Sequence, residues 1–163
     1  MSYIINNVDN SVQEIDGINA TDDLVVYGYD LTQYAIATDD QVTTYLLKQA
    51  INEALQENDE ALNSKPYITT SQGHLGLVTP VDSLATVFEG LVTAQLPTYH
   101  QVLRTYEGVY LPDLTSTQFQ SLFGEVLYAY ERIDQIYVSL KDQISACTTI
   151  DQVNAITIDY SSI

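Results

Sequence analysis

STQFQSLFGEVLYAYERIDQIYVSLKDQISAC, residues 116–147, decides how this chain folds. Counted in sevens from Phe119, one column holds Phe119, Val126, Ile133 and Leu140. The column three residues on holds Leu122, Ala129, Ile136 and Gln143, and the next holds Phe123, Tyr130, Tyr137 and Ile144. Three adjacent apolar columns make a broad helical stripe rather than a narrow coiled-coil seam. Glu131, Asp134, Gln135 and Asp142 fall on the opposite side. No proline interrupts the run, and Gly124 is its one poor helix former. Thr115 with Gln118 has the spacing of a capping box, and Thr148-Thr149 marks the exit.

A helix of this length spans roughly 48 Å. A single domain of this chain length has a radius of gyration of about 15 Å. The helix is therefore expected either to break at Gly124 or to reach beyond one globule. Phe119, Leu122, Phe123, Val126, Tyr130, Ile133, Ile136, Tyr137, Leu140 and Ile144 are the expected core or intersubunit contacts.

Outward from this helix, the chain reads as mainly α with small β elements, an α+β class. Residues 39–63 form a second helix: Val42, Leu46, Leu47, Ala50, Ile51, Ala54 and Leu55 line one face, behind Asp39 and Asp40 in its first turn. Tyr67–Thr70 and Leu75–Thr79 flank a glycine-containing turn and predict a hairpin near 66–79. Shorter helices are expected over 80–94 and from Pro97 to Gly108. Residues 23–29 read as a strand with 31–37 as its hairpin mate, and residues 1–22 as a polar, extended arm that docks on a neighbour. After Cys147, Thr149 with Gln152 caps a short helical turn, and 157–160 closes as a strand. The expected division is an arm with hairpin over 1–37 and a helical domain over 38–163.

Charge narrows the function. Twenty-two acids face five bases, a formal net charge of −17. Such a surface repels nucleic acid and anionic lipid, so neither is an expected partner. No apolar run approaches the roughly 20 residues of a membrane span, and the N-terminus has no signal-peptide pattern. The single cysteine, Cys147, forms no intramolecular bridge.

Reaction chemistry finds little purchase. His74 and His100 are the only imidazoles, neither beside an obvious nucleophile, and no paired ligand spacing points to zinc. Gly73-His74-Leu75-Gly76 lacks the lysine and spacing of a phosphate loop. No catalytic, cofactor or metal residue is assigned, and the chain is not expected to be an enzyme.

The ending Lys141–Ile156 runs from a helix through small residues and threonines into an acidic helical turn with an apolar close. It resembles a C-terminal pattern of bacteriophage tail and tail-fibre-assembly proteins. The resemblance covers about a tenth of the chain and carries over no functional residue. It implies a structural virion protein of the tail, neck, fibre or capsid-decorating layer, made in the host cytoplasm. Its partners would be copies of itself and other virion proteins. The alternative is an acidic soluble module, an inhibitor or assembly chaperone, that covers a basic partner surface. A carboxylate enzyme ranks last.

Overall fold

The structure, a computed structural model, describes residues 2–76, 93, 98–99 and 103–162. The class is α+β, with small antiparallel sheets and one 30-residue helix. The chain divides into two compact units. The first comprises residues 1–54 and 147–155, the second 55–146 and 156–163. The division falls inside a helix, not at the expected residues 37–38.

In the first unit, β1 (Ser2–Asn6) pairs with β2 (Val12–Ile15) on one side and β3 (Tyr34–Ile36) on the other, all antiparallel. The expected free arm is thus a hairpin built into its own sheet. Its turn closes locally: Asn6 N–H donates to the Ser11 carbonyl at 2.8 Å, and Asn10 N–H to the Asn6 carbonyl at 2.8 Å. Residues 21–26 are the helix α1, not the expected strand. The cause is Asp23, whose Oδ2 accepts the backbone N–H groups of Asn19 (2.8 Å) and Ala20 (3.0 Å). A carboxylate that satisfies the free donors at a helix start outweighs the β preference of Leu-Val-Val. The helical turn sends Leu24 inward beside Ile4 and Ile18, and leaves Val26 81% exposed. β3 then pairs with β1 and not with residues 23–29.

The helix α2 (Asp39–Ser64) has the expected extent. Thr38 and Gln41 cap it reciprocally: Thr38 N–H donates to Gln41 Oε1 at 2.8 Å and Gln41 N–H to Thr38 Oγ1 at 3.3 Å.

The second unit is assembled on α3 (Ser116–Ser145). Its capping box forms as spaced: Gln118 N–H donates to Thr115 Oγ1 at 3.3 Å, and Thr115 N–H to Gln118 Oε1 at 2.9 Å. The helix runs unbroken through Gly124, a length of about 45 Å at the standard rise. β4 (Tyr67–Thr70) and β5 (Gly73–Gly76) form the expected hairpin with a tight Ser71-Gln72 turn. Gly73 sits at φ +106, a region that glycine enters without a Cβ clash. Residues of this hairpin beyond 76 lie outside the described residues, as does nearly all of the helix expected over 80–94. The helix expected from Pro97 to Gly108 is absent where described. Thr98–Tyr99 is the strand β6, paired with β7 (Leu114–Thr115), and residues 103–111 double back through a turn at Gly108, φ +84. Residues 157–160 carry no strand; α4 (Ile150–Asn154) is the expected short helix.

The core of this unit is Ile68, Leu75, Tyr99, Leu111, Leu114 and Tyr160 closing over Phe119, Leu122, Val126, Ala129, Ile133 and Leu140 of α3. The rings of Tyr99 and Phe119 stack at 4.6 Å. Deep in the same unit, Asn58 is 1% exposed. Its Oδ1 accepts the Tyr160 hydroxyl at 2.7 Å, and its Nδ2 donates to the Tyr137 carbonyl at 3.4 Å. A buried amide costs little only while both ends are bonded.

Two substitutions test this account by denaturant unfolding. Tyr160→Phe leaves Asn58 Oδ1 without its donor and is expected to lower stability by about 1–3 kcal/mol. Gly124→Ala places a Cβ in open space, with no heavy atom within 4 Å. It is expected to raise stability by about 0.5–1 kcal/mol. A loss at Gly124→Ala would show that the glycine serves a bend which α3 needs.

Candidate functional site

The ten residues singled out on α3 divide by depth. Phe119, Leu122, Val126, Ile133, Leu140 and Ile144 are buried, while Phe123, Tyr130, Ile136 and Tyr137 are half-buried. Tyr130, Ile136 and Tyr137 pack against the edge of the core. The stripe is therefore largely covered by segments of its own chain. The hairpin β4–β5, the β6–β7 pair and the end of α2 supply the cover, so the buried residues of the stripe are core of this chain. Leu127, Tyr128 and Val138 stay on the outer side, Tyr128 at 65% exposure.

Tyr137 closes the margin of the stripe by donating its hydroxyl to Asp59 Oδ1 at 2.8 Å. The bond to Asp59 raises the phenol above its ordinary value of 10.0, with desolvation and then the carboxylate charge adding to the effect. Burial raises Tyr130 in the same direction, and burial followed by the Tyr137 and Asp59 charges raises Tyr160.

A second surface escaped the sequence reading because it is assembled from two separated hairpins. Tyr67 and His74 lie across β4–β5, and their rings stack at 4.0 Å with 16° between planes. Tyr106, from the 103–111 turn, meets Tyr67 at 5.3 Å. One main-chain bond splices the two hairpins, from Tyr106 N–H to the His74 carbonyl at 2.7 Å. Glu107 Oε1 sits 2.8 Å from His74 Nδ1. At the foot of the turn, the Arg104 guanidinium lies 4.2 Å from the Tyr110 ring centre and donates to a tyrosine hydroxyl, that of Tyr110, at 2.6 Å. On the other flank Glu125 of α3 grips the hairpin turn, accepting Ser71 N–H at 2.6 Å and Ser71 Oγ–H at 2.8 Å.

The result is a ledge of three tyrosines and one imidazole, with Glu107 and Arg104 at its rim. Tyr106 and Tyr110 are each about half exposed, and Val109 more so. Rigid aromatic area with a polar rim suits recognition of another macromolecule. The local signals in the sequence were the tyrosines themselves and Gly108, which marks a turn as readily as a helix end. Among the described residues, no serine, threonine or cysteine is hydrogen-bonded to the His74 ring, which faces Glu107. Among the described residues, no group of three or more histidine, cysteine, aspartate or glutamate side chains is arranged to hold a metal ion. Nor does any described helix have the length and apolar character to cross a membrane. No protein-family model, no curated protein and no solved structure matches the chain.

Two titrations follow. Glu107 is held below the ordinary 4.5 by its own backbone N–H first, then by the His74 ring and the Thr105 hydroxyl. Carbon-detected NMR is expected to place its carboxyl midpoint below 4.5, and His74→Ala to move it upward. On the alkaline side, the raised phenols favour the folded state fully below pH 10 and lose that contribution as pH climbs through their folded values. Urea midpoints are expected to fall above pH 10, and less steeply in Tyr137→Phe.

Proposed function

We propose that this chain is a non-enzymatic structural component of a phage particle, in the tail, neck, fibre or capsid-decorating layer, and that it associates with copies of itself and with other particle proteins. The observation that carries this reading is the form of the C-terminal segment. α3 closes at Ala146, whose N–H returns to the Asp142 carbonyl at 3.0 Å. The Thr148 and Thr149 N–H groups then both donate to Gln152 Oε1, at 2.8 and 3.2 Å, and Gln152 N–H donates back to Thr149 Oγ1 at 3.3 Å. α4 follows at once. The threonine cap and short helix in the segment that carries the phage resemblance are hydrogen-bonded as that pattern implies, which supports the reading.

Self-association in this reading uses what α3 leaves outside. Leu127, Tyr128 and Val138 are the apolar contacts through which helices of neighbouring copies complete a bundle. Each copy carries a net charge of −17, which opposes approach. Salt screens that repulsion over a Debye length of about 8 Å at physiological strength, whereas apolar contact is insensitive to it.

The net charge of −17 supports a second reading, an acidic module that covers a basic partner surface, with the ledge of Tyr67, His74 and Tyr106 as its aromatic contact. Salt weakens such a contact. The two readings therefore predict opposite responses to sodium chloride.

Sedimentation velocity of the purified chain separates them. Self-association is expected to strengthen as salt rises and to be lost in Tyr128→Glu. A well-folded monomer at every concentration and salt would overturn the assembly reading. Mass spectrometry of purified particles is expected to find the chain at many copies, and its absence from particles would overturn the virion reading.

A further inference from the structure

Independently of the assembly reading, we propose that the first unit binds a neutral saccharide in the cleft between the β1–β2 turn and the outer face of α2. The cleft has a volume of about 590 Å³, inside the ~300–1,000 Å³ range of small-ligand sites. Ile5 and Val12 supply part of its apolar lining. Asn10 stands on one wall, and Asp40, Tyr45, Lys48 and Asn52 follow one another along the helix on the other.

Three properties select the ligand. The first is a fixed aromatic ring. Tyr45 touches Tyr3 at 6.1 Å between ring centres, and its hydroxyl accepts Gln49 Nε2–H at 2.6 Å. A ring already held in place loses little freedom on binding, and its electron-rich face suits the electropositive C–H face of a pyranose.

The second is uncommitted polarity. Among the described residues, the side chains of Asn10, Asp40, Lys48 and Asn52 make no hydrogen bond or ion pair. Each amide sets a donor beside an acceptor, and the carboxylate and ammonium supply one of each alone. Adjacent sugar hydroxyls need that pairing. Among the described residues, Asn10 is moreover the one non-glycine residue at positive φ, +59. Bonds from Val8 N–H to Asn6 Oδ1 (2.8 Å) and from Ser11 N–H to Asp9 Oδ1 (2.9 Å) brace the turn that holds it there.

The third is charge. Lys48 is the only lysine or arginine of this unit, against ten acids. A field of that sign turns away phosphates, nucleotides and uronic acids. Lys48 lies about 12 Å along α2 from Asp40, so the cleft wall carries one charge of each sign at its two ends. A polyhydroxylated, uncharged ligand satisfies every one of these groups without meeting repulsion.

The experiment is a proton–nitrogen NMR titration of the full chain with glucose, galactose, mannose, N-acetylglucosamine, N-acetylgalactosamine and glucuronic acid. At least one neutral sugar is expected to give saturable shifts confined to residues 3–12 and 40–52, with Kd on the order of 1 mM, a free energy near −4 kcal/mol. Tyr45→Ala and Asn52→Ala are expected to weaken binding at least tenfold with the remaining spectrum unchanged, whereas Tyr45→Phe keeps the ring and most of the affinity. The proposal is overturned if no neutral sugar gives saturable shifts, if the shifts lie elsewhere, or if glucuronic acid binds more tightly than glucose. Should Tyr45→Ala disturb the fold, Asn52→Ala on the exposed helix face decides the question alone.

Discussion

Burial of the inner stripe of α3 is the interaction on which the second unit depends. Phe119, Leu122, Val126, Ala129, Ile133 and Leu140 present one continuous apolar face, and every other element of the unit is positioned by covering it. Each fully buried aliphatic or aromatic side chain of this kind contributes roughly 1.5–3 kcal/mol. The covering elements are short strands that would be marginal alone. β4–β5 gains a face to lie on, β6–β7 brings Tyr99 onto Phe119, and Tyr160 returns from the C-terminus to close the edge. Polar bonds then fix their positions. Glu125 grips the hairpin turn, Asn58 joins Tyr160 to the backbone at Tyr137, and the Tyr137 hydroxyl is tied to Asp59.

The same side chains also form the surfaces. Because the hairpins are spent on covering α3, their opposite sides carry the tyrosines outward and create the ledge of Tyr67, His74 and Tyr106. Because the inner stripe of α3 is largely covered within the chain, the large apolar side chains that this helix leaves exposed are Leu127, Tyr128 and Val138. That is a modest apolar area on a strongly acidic protein.

In the first unit, a single carboxylate has comparable influence over a much smaller core. Asp23 starts α1 by accepting two backbone N–H groups, and this turns Leu24 inward against Ile4 and Ile18. Without that cap the segment has the composition of a strand, and the N-terminal hairpin would have no lid. The hairpin in turn forms one wall of the cleft opposite Tyr45 and Lys48.

Much of this protein is local in origin and was legible in residue order. Both long helices, the Thr115–Gln118 and Thr149–Gln152 caps, the presence of a hairpin near residues 66–79 and the short C-terminal helix follow from periodicity, capping and turn residues, which depend on near neighbours. So does the acidic surface, which follows from composition. The tertiary structure decided what covers what. Whether the α3 stripe faces its own chain or a copy depends on long-range contacts such as Ile68, Tyr99 and Tyr160, whose sequence patterns are too short to point at a partner. The N-terminal hairpin, the helical state of residues 21–26 and the reversal at 103–111 were settled in the same way. In each, a few hydrogen bonds or one buried leucine outweigh intrinsic preferences of less than about 1 kcal/mol per residue. The ledge and the cleft join residues that are distant along the chain, so no reading of adjacent residues could place them together.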